Sequence, residues 1–167
     1  MTKDTSAIGD AGVRKTKARI EVACFANVTD GSYSEDSMKY DIFFTFKSAF
    51  DDKDLCKLAG QVKTGDSFLQ LNADQSSARI DNCSDVKKVM FKNGHPLIIF
   101  IVANKKDIHW YSGDFRSKSI GLIKIPTKQV VTPSIWIDFS RLHRYYQYQH
   151  NKYLTQTLSL KKSSLRS

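Results

Sequence analysis

The run Pro96-Leu97-Ile98-Ile99-Phe100-Ile101-Val102-Ala103 narrows the fold more than any other segment of this chain. Successive side chains of a β-strand point to opposite faces, so a strand with one wet face alternates apolar and polar residues. This run does not alternate. It is apolar at both parities, so both of its faces need cover, which places it as a central strand with a layer on each side. It is strand-sized, and no apolar run in the chain reaches the roughly 18 residues that span a bilayer.

The covering elements follow from periodicity. From Val13 to about Val28, the apolar positions Val13, Ile20, Ala23, Cys24 and Val28 have helical spacing, with Glu21 interrupting the apolar surface. Residues 1–12 are small and polar and read as a flexible N-terminus. Thr29-Asp30-Gly31-Ser32 ends the helix. Met38 to Phe50 reads as a strand rich in aromatics and Leu55 to Thr64 as its return, with Asp51-Asp52-Lys53-Asp54 turning an antiparallel hairpin. Ser67 to Leu71 and Ala78 to Ile80 are short strands. Ser84 to Asn93 reads as a short helix capped by Asn82 or Ser84 and stopped at Asn93-Gly94. Beyond the central strand, Ile108 to Ser112 forms its hairpin partner, and Ile120 to Ile125 a further strand. From Pro133-Ser134 the spacing of Ile135, Phe139, Leu142 and Tyr146 is helical again. The order predicts an α/β (α+β) fold, a mixed central sheet flanked by helices. One domain over 13–150 is followed by a basic tail over 151–167.

Charge points to the class of partner. The 167 residues carry 26 Lys/Arg against 17 Asp/Glu, a net +9, which favours a polyanion. From Arg141 to Ser167 there are six Lys/Arg and no acid. Within that stretch Arg141, Arg144 and Lys152 interleave with Tyr145 and Tyr148, a combination that grips phosphates and stacks on bases. The same pattern also reads as an amphipathic terminal helix with solvated cations. Three widely spaced cysteines, Cys24, Cys56 and Cys83, with no C-x-x-C pair, argue against a disulfide framework or structural zinc and for a reducing cytoplasm. The N-terminus has no apolar signal-like region. The expectation is a soluble cytoplasmic protein with no membrane partner.

The candidate chemistry lies in Gly60-Gln61-Val62-Lys63-Thr64-Gly65. On a strand Gln61 and Lys63 share a face and Val62 takes the other. Asp41, opening the preceding strand, converges on that face if the two strands pair, and its charge beside four apolar residues calls for a partner or a metal. Magnesium takes oxygen ligands, often one or two carboxylates, with water and substrate phosphate at its other positions. Asp41 offers a carboxylate and Gln61 a neutral carbonyl. Lys63 is placed to orient or deprotonate an attacking water or to stabilise transition-state charge. Glu21 would restore a second carboxylate. Gly60 and Gly65 bracket the segment and leave room for close approach of backbone or ligand. As a bare pattern, D…QxK is three common residue types. His109 reads as a surface or packing residue, and Cys56 and Cys83 as structural.

Glu21 on a helix, Tyr40-Asp41-Ile42, and Gly60-Gln61-Val62-Lys63-Thr64-Gly65-Asp66-Ser67-Phe68 together resemble the PD-(D/E)XK nuclease superfamily, most closely its DUF4365 branch. The likeness continues through His95 to Val102 and Ile108-His109-Trp110-Tyr111, covering roughly residues 13 to 126. The resemblance implies a restriction-endonuclease-like αβββαβ core and a metal site of Asp41, Gln61 and, assisting, Glu21. It implies Lys63 as a catalytic residue and Mg²⁺ (or Mn²⁺) as the cofactor of DNA cleavage, in DNA processing or defence. The chain has Gln61 where the superfamily usually has Glu. The alternative is a catalytically inactive nucleic-acid- or partner-binding module on the same fold, and a homodimer or a larger defence or repair assembly stays open.

Overall fold

The continuous apolar run is an inner strand of a five-stranded mixed sheet. In the computed structural model, residues 5–31, 40–65, 70–73, 77–80, 96–103, 106–112 and 123–164 are described. Their elements in chain order are α1 (Thr5–Cys24), β1 (Asn27–Asp30), β2 (Ile42–Lys47), β3 (Leu55–Thr64), β4 (Gln70–Leu71), β5 (Ser77–Ile80), β6 (Leu97–Val102), β7 (His109–Tyr111), β8 (Ile123–Pro126) and α2 (Ile135–Ser164). The larger sheet has the order β1-β2-β3-β6-β7, and a smaller one the order β4-β5-β8. The pair β3–β6 is parallel, and every other pair is antiparallel.

All six residues of β6 are buried, and the two parities meet different layers. Ile98, Phe100 and Val102 join Ile42, Phe44 and Phe46 of β2, Cys56 and Leu58 of β3, Ile20, Ala23 and Cys24 of α1, and Ile135 and Phe139 of α2. Phe139 packs its ring against Phe44, Phe100 and Trp110, anchoring α2 to the sheet. Leu97, Ile99 and Ile101 pack on the other side with Ala59 of β3, Tyr40 and Ile125 of β8. Among the described residues, the small sheet contributes to the layer on that side of β6 through Ile125. Fully burying such side chains contributes about 1.5–3 kcal/mol each relative to exposure, so the two-sided strand is the fold's main anchor.

Several boundaries differ from the sequence reading. α1 begins at Thr5, so most of the expected irregular N-terminus, residues 5–12, is helical. It ends at Cys24 because Phe25 turns into the left-handed region, at φ 49°. Val28 then belongs to the edge strand β1 and reaches the core from there. A Lys17–Asp30 ion pair at 2.9 Å ties α1 to that strand. At the other end α2 continues through residues 151–164, which were expected as a tail. The expected helix from Ser84 to Asn93, which would complete the αβββαβ order, lies outside the described residues. No helix among the described residues is long and apolar enough to cross a membrane.

Candidate functional site

β3 is the hub of the sheet. Gly60 is aligned with Ile42 on one side and with Ile98 on the other. Alternation from there sends Val62 to the helix-side core and turns Gln61 and Lys63 to the opposite face. In the register with β6, Gln61 lies beside Ile99 and Lys63 beside Ile101, both of which face the small-sheet side.

β2 begins at Ile42, one residue too late to continue the ladder along β3. Asp41 completes it. Its N–H donates to the Gly60 carbonyl at 2.9 Å, and its Oδ2 accepts from the Val62 N–H at 2.6 Å. The acid thus bonds the residue before and the residue after Gln61. The charge expected to need a partner has one in the backbone, and Asp41 stays half-buried.

Gln61 is 4% exposed, and its Oε1 has no hydrogen-bond partner. A buried acceptor left without a donor is destabilising by about 1–3 kcal/mol, so this carbonyl oxygen is set up to meet a donor or a cation. Lys63 is half-buried two residues further along the same face.

Glu21 is not brought to them. It is exposed on α1, whose buried residues Ile20, Ala23 and Cys24 pack on the other side of the sheet. Among the described residues no three of His, Cys, Asp or Glu come together as a metal-holding group. The oxygen donors at this point are thus the Asp41 carboxylate and the Gln61 carbonyl. Both are oxygen donors of the kinds that magnesium accepts.

The glycines have other uses than ligand approach. A Cβ on Gly60 would sit 2.8 Å from Ile42 Cγ1 and 2.8 Å from Phe100 Cε2, so core packing demands the glycine. On Gly12 of α1 it would overlap the Thr64 side chain, so Gly12 sets how closely the helix lies on β3. Gly65 does need its freedom, at φ 119°, where it ends β3 with a 3.1 Å bond from its N–H to the Val102 carbonyl.

His109 adds a second orphaned atom on the Gln61 face. It is aligned with Ile101 of β6, which is itself aligned with Lys63. It is 7% exposed, its Nδ1 has no partner, and burial lowers its pKa below the ordinary value. Sequence spacing carries no signal for this atom. Cys24 and Cys56 are buried free thiols; burial pushes Cys24 up to about 12 and Cys56 upward as well, which fits packing rather than nucleophilic roles. Cys83 lies outside the described residues.

The basic helix occupies a different region. At about 100° per residue, Arg141, Arg144, Tyr145, Tyr148 and Lys152 fall within an arc of about 100° on α2, and all five are exposed. The helix packs on the face opposite Gln61. It reaches the far end of β3, where the Lys57 N–H donates to His143 Nδ1 at 3.4 Å. Six residues of strand, about 20 Å, separate Lys57 from Lys63. Comparisons with protein-family models, curated proteins and solved structures find no match to this chain.

Proposed function

We propose that this chain is a metal-dependent DNA endonuclease of the PD-(D/E)XK type, with its phosphodiester-hydrolysing site at Asp41, Gln61 and Lys63. The observation that carries the reading is the buried, unpartnered Gln61 Oε1, bracketed by the two bonds of Asp41. Lys63 follows on the same strand face.

Asp41 and Gln61 would hold Mg²⁺ or Mn²⁺, which supplies Lewis-acid polarisation of the phosphate and a more acidic water. Asp41 is fixed for that task, because one carboxylate oxygen is held by the Val62 N–H. Lys63 supplies an ammonium group for the negative charge that develops on the phosphate oxygens, and it orients the attacking water. Glu21 has no part in this arrangement.

The second reading, an inactive nucleic-acid- or partner-binding module, draws on the same bond: a carboxylate that caps a strand N–H has a structural use without any metal. Nicking of supercoiled plasmid with Mg²⁺ or Mn²⁺ separates the two. Wild type should cleave only with the metal, and Lys63→Ala and Asp41→Asn should each be slower by about 10²–10³-fold. Asp41→Asn keeps an acceptor for Val62 and so isolates the charge. Absence of metal-dependent cleavage by wild type, or equal cleavage by both variants, rejects the nuclease reading.

A further inference from the structure

A cleft of about 490 Å³ opens between the start of β3 and α2, lined by Asp54, Leu55, Lys57, His143, Arg144 and Gln147. Its walls carry two cations, Lys57 and Arg144, against one carboxylate. Arg144 is not a loose surface charge. Its Cζ lies 4.8 Å from the centroid of the Phe50 ring, and a guanidinium held over an aromatic face is pre-organised to present its N–H edge to two oxygens of a phosphate. His143 is 5% exposed, and its Nδ1 accepts from the Lys57 N–H at 3.4 Å, joining α2 to the start of β3. Asp54 has its backbone committed to the hairpin turn, through Ser48 N–H to its carbonyl at 2.9 Å and its own N–H to the Asp51 carbonyl at 3.1 Å.

The helix surface leading out of this cleft carries features that core packing does not explain. Tyr145 is 51% exposed and Tyr148 65%, the latter one turn beyond Arg144. Arg141 and Lys152 flank them on the same arc, and from Arg141 onward the chain has six Lys/Arg and no acid. Open aromatic faces beside cations suit a ligand that has both phosphates and unstacked rings. A duplex hides its base faces, whereas a single strand offers them.

We propose that this cleft and the Arg141–Lys152 arc bind single-stranded nucleic acid, with a backbone phosphate at Arg144 and Lys57 and bases stacked on Tyr145 and Tyr148. The site is separate from Asp41, Gln61 and Lys63, lying about 20 Å away along β3. It does not require the chain to be a nuclease.

The test is fluorescence anisotropy in EDTA, which removes any cleavage, using a labelled single-stranded DNA, the same sequence as RNA, its duplex, and a polyglutamate peptide. Wild type should bind a single strand most tightly, and the DNA and RNA arms show which sugar is preferred. Arg144→Ala should weaken binding about tenfold and flatten the salt dependence of log K by about 0.7, the value for one phosphate contact on a single strand. Tyr148→Ala should weaken it about five- to hundredfold with the salt slope unchanged, as expected for a lost stack. Lys128→Ala, exposed and elsewhere, controls for net charge and should bind as wild type. All three substitutions are at exposed positions, so melting curves should show folded variants, with only the small loss expected of the Arg144–Phe50 contact in Arg144→Ala. Wild-type affinity in both Arg144→Ala and Tyr148→Ala, or tighter binding of duplex or polyglutamate, overturns the proposal. Because no metal is present, loss of plasmid nicking and loss of anisotropy report independently on the two sites.

Discussion

The two ends of β3 meet the same difficulty with different side chains. At each end the strand outlasts a neighbour: β2 reaches no further than Ile42 opposite Gly60, and β6 no further back than Leu97 opposite Ala59. Each exposed N–H is taken by a side chain from far away in the sequence, Val62 by Asp41 and Lys57 by His143. The surroundings differ. Asp41 is half-buried beside an orphaned carbonyl, while His143 is buried on α2 beside two cations. A polar side chain capping a strand end is therefore no sign of chemistry by itself; an unsatisfied atom or uncovered charge next to it is.

That contrast can be broken by removing the caps. His143→Ala should be the more damaging, because it removes a buried side chain together with the acceptor of the Lys57 N–H: about 2–3 kcal/mol, or a fall in Tm of about 4–12 °C. Asp41→Ala should lower stability by about 1 kcal/mol, since water can replace a half-exposed carboxylate. Equal losses in the two melting curves would remove the distinction. Gln61→Glu sharpens it from the other side. A second carboxylate should tighten Mg²⁺ binding about tenfold by calorimetry, and the added metal should raise Tm more than it does in wild type. No gain from metal in that variant would show that Asp41 and residue 61 do not hold a cation.

The smallest effect concerns His109 on the same face. Burial keeps it neutral in the folded state, so the unfolded chain takes up a proton that the folded chain refuses. Stability should fall as pH drops from the ordinary histidine value toward the lowered one, and level off above that window. His109→Gln should flatten Tm against pH there, and an unchanged slope would assign the dependence to another group.

Much of this was legible in the chain. Apolar residues at both parities identified β6, and the two-residue strand period placed Gln61 with Lys63 and Val62 apart from them. The end of α1 was not readable, because Cys24 and Val28 keep helical spacing across the left-handed turn at Phe25. The length of α2 was misread, because residues 151–164 read as a tail for their basic charge, although Leu154 and Leu158 keep helical spacing. The caps were hidden for a different reason. Asp41 to Val62 and Lys57 to His143 are contacts 21 and 86 residues apart, fixed by where neighbouring strands stop, and no local pattern encodes that. Gly60 was read as leaving room for backbone or ligand, whereas the Ile42 and Phe100 side chains that fill its space come from two other strands.

The parallel pairing of β3 with β6 also sets an order of assembly. α1, β1, β2 and β3 are joined by short connections and antiparallel ladders, whereas β6 must return across the 32 residues between Thr64 and Leu97. Loop-closure entropy is lost before that distant pairing gives anything back. During synthesis the first three strands can form while the most apolar segment is still emerging. Until it inserts, β6 is a bare hydrophobic β-former with no charge to keep it from its own kind. The strand that anchors the finished fold is thus the chain's main hazard on the way there, and pulsed hydrogen exchange should find it protected after β1 to β3.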